Sequence, residues 1–377
     1  MTADPLSAHL KALIAADGPL TVARYMREAL LHPEHGYYTT REPFGVAGDF
    51  ITAPEISQVF GELIGLWCAA VWQQIGSPEK IALIEFGPGR GTLMADALRA
   101  TRIVPGFSDA IDVHLVEASP RLRSLQRETL ADTGVTWHDG LETLPHLPSL
   151  MIGNEFFDAL PIRQLIYRGD AWRERCIVWS DDNDAPGWSD MAAPDALIRL
   201  APERTAPATE GDIFEICEDG RLIAEATAQH ISRYGGAGLF LDYGHGKSAY
   251  GDTFQALRRH DYVDVLDAPG TADLTAHVDF DALLASAAGG GADCFGTVTQ
   301  GQFLSALGIE TRVERLAREA SPRQTATLRS SARRLIEPTE MGTLFKAVAI
   351  AAPGMGTLPG FGPPRSLSMR ETGAFSG

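Results

Sequence analysis

Ile81-Ala82-Leu83-Ile84-Glu85-Phe86-Gly87-Pro88-Gly89-Arg90-Gly91-Thr92-Leu93 is the stretch that decides the fold of this chain. An apolar run carries a single acid, Glu85, near its end. A glycine-rich turn follows and runs into a helical pattern, Thr92-Leu93-Met94-Ala95-Asp96-Ala97-Leu98. This is a strand feeding a tight turn that opens a helix, the layout of a nucleotide-type ligand site at the end of a parallel strand. Gly87, Gly89 and Gly91 lack a Cβ, so the turn can take positive φ and let backbone pass close to a ligand.

The next predicted strand, Val113-His114-Leu115-Val116-Glu117, also closes on an acid. Glu117 lies about 25 residues past the glycines, where the second strand of a βαβ unit should end. A carboxylate there can accept both ribose hydroxyls of an adenosine. Nicotinamide enzymes use the same geometry, so Glu117 does not separate the cofactors. The turn itself does. It reads E-x-G-x-G-x-G, and Pro88 removes one N–H from it. A dinucleotide site needs free N–H groups for its pyrophosphate, whereas S-adenosyl-L-methionine has no phosphate. The expected ligand is therefore S-adenosyl-L-methionine, held by Glu85, Gly87, Gly89, Gly91 and Glu117. The competing reading is a structural βα turn without a ligand.

The chain has 377 residues, 45% hydrophobic and 21% charged, a soluble globular balance large enough for one large or two ordinary domains. A net charge of −17 argues against nucleic-acid binding, which needs a basic excess. It suits a cationic protein substrate, and it equally suits simple solubility. The four cysteines, Cys68, Cys176, Cys217 and Cys294, have no metal or disulfide spacing, so no metal is expected and a reducing compartment fits. Met1 to Asp17 shows neither a signal peptide nor an arginine-rich transit sequence, and no apolar run matches a membrane span. The expectation is a cytoplasmic protein with no membrane insertion.

Patterning predicts a helical, lid-like N-terminal region over residues 1–75, including a helix that starts near Pro54 and runs to Gln74. Strands at 81–86, 112–117, 134–138 and 148–153 alternate with helices, the signature of an α/β fold, so residues 76–162 form the first half of a cofactor-binding domain. Residues 163–230 break the rhythm. Gln164–Tyr167, Trp172–Trp179 and Ile213–Cys217 read as antiparallel strands of an insertion over the active face. Residues 231–352 resume the domain with the strand Gly238–Asp242, and late strands are expected at 309–314 and 344–351. Residues 353–377, rich in Gly and Pro, read as a flexible tail.

Asn154-Glu155-Phe156-Phe157-Asp158 follows the fourth strand, where ligands of such sheets bind. Its two carboxylates can hold a guanidinium in a bidentate fork, which makes Glu155 and Asp158 the candidate catalytic pair and Asn154 a cofactor contact. The alternative is that Asp158 caps a helix and both phenylalanines are core. The segment from Asp49 through Thr52 to Ser57 reads as a lid over the methionine end of the cofactor, or else as a loop with a helix cap. Asp139 can meet the adenine amino group, or simply turn the chain before Gly140. His245, in Asp242-Tyr243-Gly244-His245-Gly246, is a candidate proton acceptor or a structural histidine.

Together these segments resemble the MidA-type methyltransferases, the group that contains the mitochondrial complex I assembly arginine methyltransferase and its bacterial relatives. The motifs that carry the resemblance are Gly48–Leu63, Glu85–Leu93, Leu115–Ser119, Asn154–Pro161, Asp242–His245, Asp252–Phe254, Pro269–Phe280, Gln300–Leu304 and Leu307–Ile309. They span about residues 5–350. The resemblance implies a Rossmann-like seven-strand S-adenosyl-L-methionine-dependent fold, with Gly87, Gly89 and Gly91 in the cofactor loop and Glu117 on the ribose. It implies a protein arginine as methyl acceptor, with a complex I subunit as the family precedent. Glu155 and Asp158 compare by position, not by motif, with the paired-glutamate loop of other arginine methyltransferases. The absence of a presequence and the Ala/Arg-rich composition point to a bacterial chain, so its substrate can differ. A homodimer is compatible with this reading. Two alternatives stay open: methylation of a small molecule, and a non-catalytic assembly chaperone that retains a cofactor site.

Overall fold

The computed structural model describes residues 5–40, 52–182, 184–201 and 207–365. It divides into two compact units. One comprises Met1–Phe50, Asp158–Gly220 and Lys247–Asp279; the other, larger one comprises Ile51–Phe157, Arg221–Gly246 and Phe280–Gly377.

The larger unit is built on an eight-stranded sheet. Its main path uses β1 (Ile81–Phe86), β2 (Ile111–Val116), β3 (Val135–His138), β4 (Ser149–Asn154), β5 (Gly236–His245), β6 (Asp293–Thr299) and β7 (Phe345–Ala351). The spatial order is β6-β7-β5-β4-β1-β2-β3. Strands β3-β2-β1-β4-β5 are parallel, while β7 runs antiparallel between β5 and β6. Every residue of β1 and β4 is buried, as strands covered on both faces require. The order reverses between β1 and β4. That is the switch point where a crevice opens beyond the carboxyl ends.

Helices cover the sheet. They include α1 (Gln58–Gln74), α2 (Thr92–Thr101), α3 (Pro120–Thr129), α4 (Glu218–Tyr234), α5 (Ile309–Ala317) and α6 (Pro322–Ile336). Ser57 caps α1 by accepting the Val59 N–H, and Phe60, Leu63, Ile64, Trp67 and Val71 form its buried stripe. Gly61 and Gly65 let α1 lie directly on α2. A Cβ at Gly65 would stand 2.6 Å from Ala97 Cα, and one at Gly61 would stand 2.7 Å from Asp96 Cβ. The helix expected from Pro54 to Gln74 is in fact two, Ala53–Ile56 and α1, broken where Ser57 leaves helical geometry to serve as cap.

Two further expectations are corrected. Residues 309–314 are not a strand but the start of α5, entered from Gly308 at φ 84°. Ile309, Val313 and Leu316 recur at steps of four and three, which is helical spacing. The tail is packed as far as Arg365. Leu358 is buried, Pro359 O accepts the Trp67 indole N–H at 3.0 Å, Phe361 packs on Phe303, and Arg365 pairs with Asp281. Apolar anchors between the glycines outweigh the chain entropy there.

The smaller unit holds an antiparallel sheet of Leu20–Thr21, Ala171–Ser180, Arg163–Arg168 and Ile213–Ile216, with Ala185–Ala192 paired to the long strand. The three antiparallel strands expected from 164 to 217 are present. A second sheet, Asp261–Val263, Gln255–Arg258 and Asp273–Thr275, and the helices Pro5–Asp17 and Val22–Leu31 complete it. Residues 5–40 thus fold with this unit, and the described chain belongs to the larger unit from Thr52 to Phe157. No helix among the described residues is long and apolar enough to cross a membrane.

Candidate cofactor and active site

The glycine turn leaves β1 at the switch point. Gly87, Gly89 and Gly91 take φ of 57°, 54° and 81°, a region costly for any residue with a Cβ. The Gly87 N–H donates to Val116 O at 3.0 Å, which fixes the turn to β2, and Gly91 caps α2. A Cβ on Gly87 would press on the Phe156 ring at 3.0 Å. The turn is therefore closely backed by Phe156.

Two acids flank it. Glu85 is 3% exposed, and burial first, then the neighbouring Glu117, push its carboxyl up to about 8; the Met94 N–H pulls the other way. Glu117 is also raised by burial, against hydrogen bonds from Ser119 N and Gln126. Arg123 partly offsets the burial of Glu117, but two neighbouring buried carboxyls are a costly arrangement unless a ligand brings donors or positive charge. Glu85 Oε2 is buried and has no hydrogen-bond partner among the described residues. The same holds for Asn154 Oδ1, on the adjacent strand end. S-adenosyl-L-methionine, with ribose hydroxyls, an amino group and a sulfonium, offers what these acceptors lack.

Gln126 ties the parts together and was not foreseen. Fully buried on α3, it donates from Nε2 to Gly89 O at 2.9 Å and to Glu117 Oε2 at 3.0 Å, while its Oε1 accepts the Trp137 indole N–H at 2.9 Å. One side chain thus sets the glycine turn against the acid of β2. The signal was present in the sequence: Leu122, Gln126 and Leu130 share one helical face, so an amide stands on an apolar stripe.

At the end of β4, Glu155 adopts φ 51°, a left-handed conformation rare for a side-chain-bearing residue. Its N–H donates to Leu241 O at 2.8 Å, and its Oε1 accepts from Ala53 N at 2.9 Å and Asn154 Nδ2 at 3.0 Å. The next two N–H groups, of Phe156 and Phe157, donate to the buried Asp242 Oδ2 at 3.1 and 2.9 Å. Asp242 on β5 therefore shapes the turn that presents Glu155. The Ala53–Ile56 turn is held at its other end by Glu55, whose Oε1 accepts the Thr92 hydroxyl at 2.6 Å. Neither Asp242 nor Glu55 stood among the expected site residues, because a residue that braces a turn carries no local signature of it.

The remaining candidates fall as follows. Thr52 precedes the Ala53–Ile56 turn without a side-chain cap bond, and Asp49 lies outside the described residues. Asp139 pairs with Arg123 at the end of β3 and is 89% exposed. His245 ends β5, and its side chain makes no hydrogen bond among the described residues. Of the two expected acids, Glu155 belongs to the larger unit and Asp158 to the smaller. There Asp158 is buried and its carbonyl accepts the Ala276 N–H, while burial first, and then the charges of Asp273 and Asp158, raise the Tyr38 hydroxyl well above its ordinary range. In the same unit His9, Glu28 and His32 lie close enough to share a metal ion. His32 Nδ1, however, accepts the Glu34 and His35 N–H groups at 3.2 Å each, which leaves the ring proton on Nε2, the state of a donor and not of a ligand.

Residues 63–298 match a protein family described as "Putative S-adenosyl-L-methionine-dependent methyltransferase". Among curated proteins, the chain is 37% identical to the mitochondrial protein arginine methyltransferase NDUFAF7 of Danio rerio, covering 91% of this chain and 86% of that protein. The Homo sapiens NDUFAF7 is 38% identical, over 92% and 83%. Among solved structures, a COG1565 superfamily member from Burkholderia thailandensis bound to S-adenosyl-homocysteine superposes with a TM-score of 0.84 at 30% identity, covering 96% of this chain and 95% of that one.

Proposed function

The chain belongs to this family of S-adenosyl-L-methionine-dependent methyltransferases, and from that premise we propose that it methylates an arginine side chain of a protein. The cofactor, when bound, supplies an electrophilic methyl group on its sulfonium. Glu117 accepts the ribose hydroxyls, and Gln126 holds both that carboxylate and the glycine turn in place. Glu85 and Asn154 supply acceptors for the amino group of the methionine portion. Glu155, fixed in a left-handed turn at the mouth of the site, orients the guanidinium by charge and hydrogen bonding. Positioning of this kind is the main lever for a displacement at carbon.

The observation that carries the reading is the pair of buried acceptors without partners, Glu85 Oε2 and Asn154 Oδ1, on adjacent strand ends beside the glycine turn. The arginine acceptor is supported by the names of the relatives, and a complex I subunit is the first protein to test. The four cysteines stand as free thiols, in keeping with the reducing cytoplasm as the place of action. The deciding experiment incubates the protein with methyl-labelled cofactor and a lysate, then hydrolyses the labelled proteins to amino acids. Label in methylarginine is expected. Label confined to lysine, or to small molecules, would refute the assignment.

A further inference from the structure

Two histidines meet across β2 and β3. His114 on β2 and His138, the last residue of β3, are both buried. His114 Nδ1 and His138 Nε2 share a hydrogen bond of 2.9 Å. His138 Nδ1 shares another, of 2.8 Å, with the Thr143 hydroxyl at the end of the Leu141–Thr143 turn. On the other side of the pair, His114 Nε2 lies 3.2 Å from Asp112 Oδ2 but is not aligned for a hydrogen bond. The charged groups about the rings are Asp112 on β2, Arg123 on α3, and Asp139 and Glu142 past β3; β1 sets the apolar Ile84 beside His114.

The backbone of His138 reaches the acid of β2. Its carbonyl accepts the Glu117 N–H at 3.1 Å and Arg123 Nη2 at 3.0 Å, and Arg123 Nε donates to Glu117 O at 2.8 Å. A shift at the end of β3 is therefore a shift of Glu117. The His138 side chain ties that end to β2 through His114 and to the following turn through Thr143.

The ring–ring bond needs a single proton between the two nitrogens. With both rings neutral, or with one charge on the pair, that condition is met, since one nitrogen donates and the other accepts. With both rings charged, Nδ1 and Nε2 each carry a hydrogen. The bond then breaks, and two like charges lie buried side by side. Burial first, then His114 and Arg123, hold the His138 ring below the ordinary histidine range, against Asp139 and Glu142. The closed arrangement thus belongs to neutral pH, and acid opens it.

We propose that His114 and His138 are positioning residues of the cofactor site that act as a pair: in mild acid the second proton opens their contact, frees the end of β3 from its side-chain tie to β2, and weakens the hold of Glu117 on the cofactor. The proposal rests on the reading of Glu117 as the ribose acid given above. It assigns a role in binding to two rings that touch no ligand themselves.

Calorimetry with S-adenosylhomocysteine at pH 7.5 and pH 5.5 tests it, on the full chain, for wild type and His114→Asn. Asparagine offers an acceptor near the place of His114 Nδ1 and takes no proton, so His138 can charge without breaking the contact. A ring of ordinary pKa, about 6.5, that must stay neutral for binding costs about tenfold in affinity at pH 5.5. The loss between the two pH values should therefore be about tenfold larger in wild type than in His114→Asn. Glu85 and Glu117 titrate in both proteins and drop out of the comparison. Equal losses would overturn the proposal, and so would a variant weaker at both pH values by one common factor, which is the mark of packing alone. Should His114→Asn fail to fold, nitrogen NMR of the wild type labelled in histidine decides. In the S-adenosylhomocysteine complex at pH 5.5 one ring of the pair should stay neutral, and two charged rings would overturn the proposal. Absence of binding by the wild type at pH 7.5 would strike the cofactor reading itself, and the proposal with it; binding at pH 7.5 with equal losses in acid strikes the proposal alone.

Discussion

Gln126 Nε2 donates to Glu117 Oε2 at 3.0 Å from a side chain fully shut off from solvent. Because the same nitrogen reaches Gly89 O, the amide couples the acid of β2 to the turn of β1. Gln126→Leu keeps the volume and removes three hydrogen bonds. A bond to a charged group contributes about 1.5–3 kcal/mol, so affinity for S-adenosylhomocysteine should fall by about tenfold or more. Calorimetry checks it. A variant that loses thermal stability but binds the cofactor normally would make Gln126 a core residue only.

Glu155→Gln separates two roles of one side chain. If Glu155 orients the guanidinium, the variant should bind S-adenosylhomocysteine as wild type does and lose methyl transfer by about a hundredfold, the range seen when a positioned group is lost. Glu155 also accepts the Ala53 N–H. A parallel fall in cofactor affinity and transfer would show that bracing the Ala53–Ile56 turn is its whole contribution.

Glu85 gives a pH signature. Its carboxyl is raised to about 8 by burial and by Glu117. For a raised acid, the folded state favours the protonated form. The stability it contributes is full below the ordinary glutamate value and is lost as pH climbs toward and through about 8. The cofactor-free protein should therefore melt at lower temperature at pH 9 than at pH 6, and Glu85→Gln should flatten that difference. An identical pH slope in the variant would assign the loss to another group.

Asp242→Ala should destabilise the larger unit. It leaves the Phe156 and Phe157 N–H groups without their carboxylate, at about 1–3 kcal/mol for each buried donor left unpaired. Denaturant unfolding should show a lower midpoint, with Asp242→Asn intermediate because it retains one acceptor oxygen. Wild-type stability in the alanine variant would mean that the turn finds other acceptors.

The parts legible in the sequence are those with local causes. Unbroken apolar runs bounded by glycine marked β1 and β4, and the E-x-G-x-G-x-G spelling marked the turn, because only residues without Cβ fit its backbone. The place of Glu117 at the end of β2 was legible because a βαβ unit has a characteristic length. The braces were not. Gln126, Asp242 and Glu55 act on partners 37, 86 and 37 residues away, and nothing near them in sequence records the partner. The α5 helix was misread as a strand because Ile309, Thr311 and Val313 alternate with charges over five residues; the helical step appears only when Leu316 is included. The packing of residues 353–365 was hidden by glycine and proline, since composition does not show where single anchors such as Leu358 and Phe361 find a core.

The central claim is that β1 and β2 end in a cofactor site built on the glycine turn and Glu117. Calorimetric titration of wild type and Glu117→Ala with S-adenosylhomocysteine tests it most directly. Micromolar binding by the wild type, weakened by about tenfold or more in the variant, is the predicted result. Absence of binding by a folded wild-type protein, or equal affinity in the two, would contradict it.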